Sequence, residues 1–70
     1  MSTKSSPLGT PINILTAALK RERDAYRFYD QLLNTATVSM LQELLEKLRD
    51  EEHKHILMIE QKISKLRGVS

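Results

Sequence analysis

From Pro11 to Gly68 the chain alternates short apolar groups with charged ones at helical spacing. At about 100° per residue, Leu15, Leu19, Glu22, Tyr26, Tyr29 and Leu33 share one stripe, with successive spacings of 4, 3, 4, 3 and 4. Leu41, Leu45, Leu48, Glu52, His55, Ile59 and Ile63 form a second stripe. This is the rhythm of a helix-bundle seam. β-Branched residues nowhere alternate with polar ones, so no strand is expected. The helix breakers bracket the pattern: Pro7, Gly9 and Pro11 come early and Gly68 comes late. The spacing predicts helix A over about 12–34 and helix B over about 38–67. Thr10 with Pro11 in the first turn, or else Asn13, is expected to open helix A. The stretch Asn34–Ser39 reads as a link. There Thr37, or Ser39 with Gln42 three residues on, supplies a new cap. Gly68 is expected to end helix B. Residues 1–11 read as a flexible N-terminal tail and 12–67 as a helical hairpin.

A short link makes consecutive helices antiparallel neighbours. With 70 residues there is one domain, and two helices alone cover little of each other's apolar surface. Both also carry apolar residues off the seam. Ile14, Phe28 and Leu32 flank helix A; Leu44, Ile56 and Met58 flank helix B, and Leu57 lies nearly opposite its seam. The fold expected is all-α: an antiparallel two-helix hairpin that dimerises into a four-helix bundle, with the spare flanks available for further association.

The seam is apolar except near its middle. The run Leu48-Arg-Asp-Glu-Glu-His-Lys-His55 splits by helical phase. Glu52 and His55 lie within the apolar stripe, Asp50 and His53 point away from it, and Glu51 sits on its edge. Glu22 interrupts the stripe of helix A at a similar height, within about a turn at 1.5 Å per residue. A carboxylate held in a bundle core without compensation costs several kcal/mol. One chain offers one Glu and one Glu-x-x-His; a two-fold dimer doubles this to the ligand set of a di-iron or di-manganese carboxylate bundle. Carboxylate with imidazole suits iron, manganese or zinc.

The segments Glu22-Arg-Asp-Ala-Tyr26-Arg-Phe-Tyr29 and Leu48-Arg-Asp-Glu-Glu52-His-Lys-His55 resemble the rubrerythrin branch of the ferritin-like superfamily. The likeness is closest to its short, encapsulated-ferritin type and spans about residues 13–66. The resemblance implies a ferritin-like bundle whose di-iron site is built across a subunit interface, with Glu22, Glu52 and His55 as ligands. It implies two iron ions per dimer interface, with manganese or zinc as alternatives. The chemistry implied is ferroxidase activity or other iron and redox handling, with Fe(II) and oxygen or peroxide as reactants. Tyr29 would be a neighbour of the ligands or a redox-active group. Tyr26 reads first as seam packing, and Glu51 or Asp24 as a carboxylate that orients a His55 ring N–H. The implied partners are further copies of the chain and an encapsulating shell. Where full rubrerythrins carry a cysteine-ligated iron site, this chain has no cysteine.

Composition narrows the alternatives. Lys and Arg number 11 against 9 Asp and Glu, for a formal charge of +2, and the signs are interspersed. No basic stripe interleaved with aromatics marks a nucleic-acid surface. No apolar run approaches the roughly 18 residues of a membrane span, so a cytoplasmic protein, alone or inside a protein compartment, is expected. Without cysteine there is no disulfide, thiolate zinc site or thiol nucleophile. The competing reading is a non-enzymatic helical-hairpin dimerisation or interaction module without metal, whose inward acids and His55 only fix register.

Overall fold

The computed structural model describes residues 10–68. They form two helices, α1 (Pro11–Thr35) and α2 (Ser39–Gly68), and no strand occurs among them. Thr10 is the N-cap of α1: its backbone is extended and its hydroxyl accepts a hydrogen bond from the Asn13 backbone N–H at 3.2 Å. Asn13 therefore lies inside the first turn and is not the cap. Pro11 sits where its missing N–H costs no helical bond. Most of the expected tail, residues 1–9, lies outside the described residues.

At the other end of α1, the Thr35 hydroxyl donates to the Leu32 carbonyl at 2.9 Å. The Ala36 N–H donates to the carbonyls of Leu32 and Leu33, and Ala36 itself is extended. The chain turns there because the last carbonyls are already satisfied. Gln42 does not take part in a capping box with Ser39. Its backbone N–H donates to the Val38 carbonyl at 3.0 Å, and its side-chain amide reaches back across the link to the Ala36 carbonyl at 2.8 Å. Gly68 is the last helical residue and has no positive φ, so it is not a left-handed cap.

The helices contact each other along the two stripes. Leu19, Leu45 and Ile63 are buried, while Leu15, Tyr26, Tyr29, Leu33, Leu48 and Ile59 are half-buried. Two ion pairs cross the seam's edge: Arg23 to Glu60 at 2.7 Å and Arg49 to Asp30 at 3.1 Å. Both tie the same side of the hairpin. Three buried side chains contribute about 1.5–3 kcal/mol each, far less than the entropy of ordering two helices. On the single hairpin, Ile14, Phe28, Leu32, Leu41, Leu44 and Met58 remain exposed. Leu57 is also exposed, on the outer side of α2. No helix of the described residues is long and apolar enough to cross a membrane.

Candidate metal centre

Glu22 sits halfway along α1, and Glu52 and His55 lie one turn apart near the middle of α2. Helical phase turns all three toward the seam, and the antiparallel hairpin brings them to one level. One ligand atom from each lies within 4.8 Å of the others. The His55 Nδ1 is 3.0 Å from Glu22 Oε1 and 3.4 Å from Glu52 Oε1. The trio lies at the edge of the seam and not under it. The side chains of Glu52 and Glu22 keep 19% and 24% of their surface, whereas His55 keeps 52%. The imidazole, placed inward by its helical phase, thus stands half-open on the face of the single hairpin.

Electrostatics mark the trio as incomplete. Glu52 Oε1 is buried and makes no hydrogen bond; the His55 Nδ1 stands closer to Glu22 Oε1, at 3.0 Å, than to this oxygen, at 3.4 Å. The approach of the Glu22 carboxyl, with burial second, pushes Glu52 above the ordinary carboxylate range. Glu22 is held below that range by its contact with Glu52 and then by the His55 hydrogen bond. The hydrogen bond to Glu22 raises His55, with Glu52 adding to the effect. Of the two carboxyls, Glu52 is therefore the one that keeps a proton longer as pH rises. Two carboxylates and one imidazole meet with an orphaned oxygen among them. A divalent cation would satisfy that oxygen and compensate the excess negative charge, and the oxygen and nitrogen donors suit iron, manganese or zinc. The residues present fit such an ion.

The other candidates lie apart from the trio. Tyr29 is half-buried and its ring meets Phe28 at 5.6 Å between centroids. Tyr26 is half-buried and meets the exposed His53 ring edge-on at 6.1 Å. Glu51 is exposed. None of the three hydrogen-bonds to Glu22, Glu52 or His55. Asp24 is occupied by Lys20 and Arg27, so it does not orient His55; the carboxylates of the trio itself do so. Arg23 and Arg49, which pin the helices beside the trio, were not singled out by helical phase. Equal distance from the link would not have paired them, since Glu60 lies further from it than Arg23 does and Arg49 further than Asp30; the long arginine side chains span the offset.

Comparison with curated proteins and with solved structures finds no match to either. Comparison with protein families matches the rubrerythrin model over residues 13–70, which takes in both helices and the whole trio. Covering most of the chain, that match establishes that this protein belongs to the rubrerythrin family.

Proposed function

We propose that the protein is a homo-oligomeric di-iron carboxylate protein that oxidises Fe(II) with oxygen or peroxide, at a site shared by two copies of the chain. The observation that carries this reading is the half-open trio: a buried, unpartnered Glu52 oxygen beside Glu22 and a half-exposed His55. Three donors from one chain leave a metal under-coordinated. A second trio brought up by a two-fold axis gives four carboxylates and two imidazoles, the set that holds two ions in carboxylate bundles. The exposed apolar flank running past the trio supports burial of this face by a second hairpin.

When bound there, iron supplies the redox chemistry. The chain's own residues hold and neutralise. Glu52 would offer the ion its buried, unpartnered oxygen. Glu22, now in contact with His55, would hold the ion beside it. His55 would offer the ring nitrogen that faces the carboxylates, and because a ligating nitrogen must be unprotonated, metal would compete there with protons.

The experiment is anaerobic loading with Fe(II) followed by an oxygen pulse, with oxygen consumption and iron absorbance recorded. Wild type is expected to consume oxygen in proportion to bound iron, and Glu52→Ala to do neither. A dimerisation module without metal predicts a well-folded dimer that binds no Fe(II) and consumes no oxygen. That result would refute the proposal.

A further inference from the structure

A second cleft lies apart from the trio. On α1, Thr16 and Arg23 fall to one side of the buried Leu19 and Glu22 falls to the other. On α2, Glu60, Ser64 and Arg67 fall to one side of the buried Ile63, and Glu52 and His55 to the other. The residues on the side away from the trio meet across the seam. They line an open groove of about 350 Å³ toward the end of the hairpin opposite the link.

The groove joins an apolar floor to one free cation. Leu19 and Ile63 form the floor. Arg23 stands at one end, held to Glu60 at 2.7 Å. At the other end the Arg67 guanidinium makes no ion pair or hydrogen bond among the described residues, and the Ser64 hydroxyl beside it makes none. The Thr16 hydroxyl is already committed, donating to the Ile12 carbonyl at 2.8 Å. Two arginines against one glutamate leave the lining with a net charge of +1, and no aromatic residue is part of it.

We propose that this groove binds a small aliphatic monocarboxylate, with its chain along Leu19 and Ile63 and its carboxylate on Arg67 and Ser64. A guanidinium takes a carboxylate through two parallel N–H bonds, and the free serine hydroxyl donates a third. The single unpaired cation matches a single negative charge. Without an aromatic platform the lining offers nothing for a base or ring to stack on, whereas an alkyl chain needs only the apolar floor. A mostly apolar cleft with a few polar groups to fix orientation is the usual form of a small-molecule site. The surroundings favour an anion as well. Residues 10–23 and 57–68 carry six cations against Glu22 and Glu60, and a field of one sign raises the local concentration of its counter-ion. The chain's first nine residues carry Lys4 and no acid, so they do not complement the groove. Because the groove and the trio open on opposite sides of the seam, this site does not depend on the metal reading. A ligand lying in it touches both helices and favours the folded hairpin by mass action.

The probe is octanoate, kept below its micelle concentration and titrated into Zn(II)-loaded and chelator-treated protein while the Leu19 and Ile63 methyl signals are followed by NMR. Saturable shifts at these methyls are expected in both samples, together with a higher urea midpoint in octanoate. Arg67→Gln, an exposed change in the last turn of α2, should weaken binding about tenfold or more. Lys65→Gln removes the same charge outside the groove and should bind within about twofold of wild type. Acetate or inorganic phosphate binding as tightly would show that charge alone is read, and octanol binding as tightly would show that only apolar surface is read; either result overturns the proposal. Methyl signals that respond to chain concentration and not to octanoate would put a second copy in the groove and refute it. Shifts that need Zn(II) would place the carboxylate on the metal, with the same consequence. Groove shifts in a protein that takes up no Zn(II) would support this site and count against the metal centre alone.

Discussion

Replacing Glu52 with glutamine should have opposite effects on stability with and without metal. In the metal-free protein, Glu52 Oε1 is buried without a hydrogen-bond partner and the side chain faces a second carboxyl. Glutamine keeps the shape, removes the charge, and offers two N–H donors to Glu22. A hydrogen bond to a charged acceptor contributes about 1.5–3 kcal/mol. Because both carboxyls are partly open to water, about 1 kcal/mol of net stabilisation is expected. In the presence of metal the balance reverses. An ion at one hundred times its dissociation constant stabilises wild type by about 2.7 kcal/mol, and the variant, short of a carboxylate, forgoes that gain. The assay is urea unfolding at equal chain concentration, in chelator and in excess Zn(II). The pH dependence supplies a second readout. Glu52 is raised in the folded state, so the folded chain keeps a proton that the unfolded chain has already lost. Its contribution to stability therefore falls as pH climbs from the ordinary carboxyl value, about 4.3, through the raised one, and is flat beyond both. In Glu52→Gln that fall disappears. If the variant is instead less stable than wild type by 1 kcal/mol or more without metal, Glu52 is a structural residue and the argument from its orphaned oxygen fails.

Further expectations address the fold, the face and the remaining ligand. Leu45→Ala removes a buried seam side chain and should cost about 2–3 kcal/mol by chemical denaturation, at the low end of the range for such truncations because a hairpin can close around the gap. Leu44→Glu, on the exposed flank beside the trio, should shift the oligomer toward monomer in light scattering. Leu57→Gln, equally exposed but on the outer side of α2, should leave both oligomer and stability unchanged within about 0.5 kcal/mol. His55 is raised by Glu22 and Glu52, so its contribution to metal-free stability is fully present below the unfolded imidazole value and is lost as pH rises through the folded one. Across the same interval protons compete less with metal. Calorimetric titration with Zn(II) should therefore show affinity rising with pH and then levelling, and His55→Ala should lose most of the binding and the slope associated with this residue.

Much of this architecture can be read from spacing alone. The 4-3 rhythm of Leu15, Leu19 and Leu33, and of Leu45, Leu48 and Ile63, requires no tertiary information, because a helix presents its third and fourth neighbours on one face. The same phase separates Glu52 and His55 from Asp50 and His53. What the phase does not contain is the height of one helix against the other. Arg23–Glu60 and Arg49–Asp30 depend on that height, as does the loss of Asp24 to Lys20 and Arg27. Caps were ambiguous for a different reason. Thr10 and Asn13 are both good N-cap residues, and only the extended backbone at Thr10 selects between them. The half-exposure of His55 is likewise a property of one hairpin seen alone, which no pattern along a single chain reveals.

Native mass spectrometry of protein loaded with Fe(II) without oxygen tests the central claim most directly, because it counts chains and metals in the same particle. The account predicts dimers, or multiples of dimers, carrying about two metals per pair of chains, with metal lost from Glu52→Ala. Metal carried by single chains, or a wild-type dimer that stays free of metal at saturating Fe(II), would contradict it.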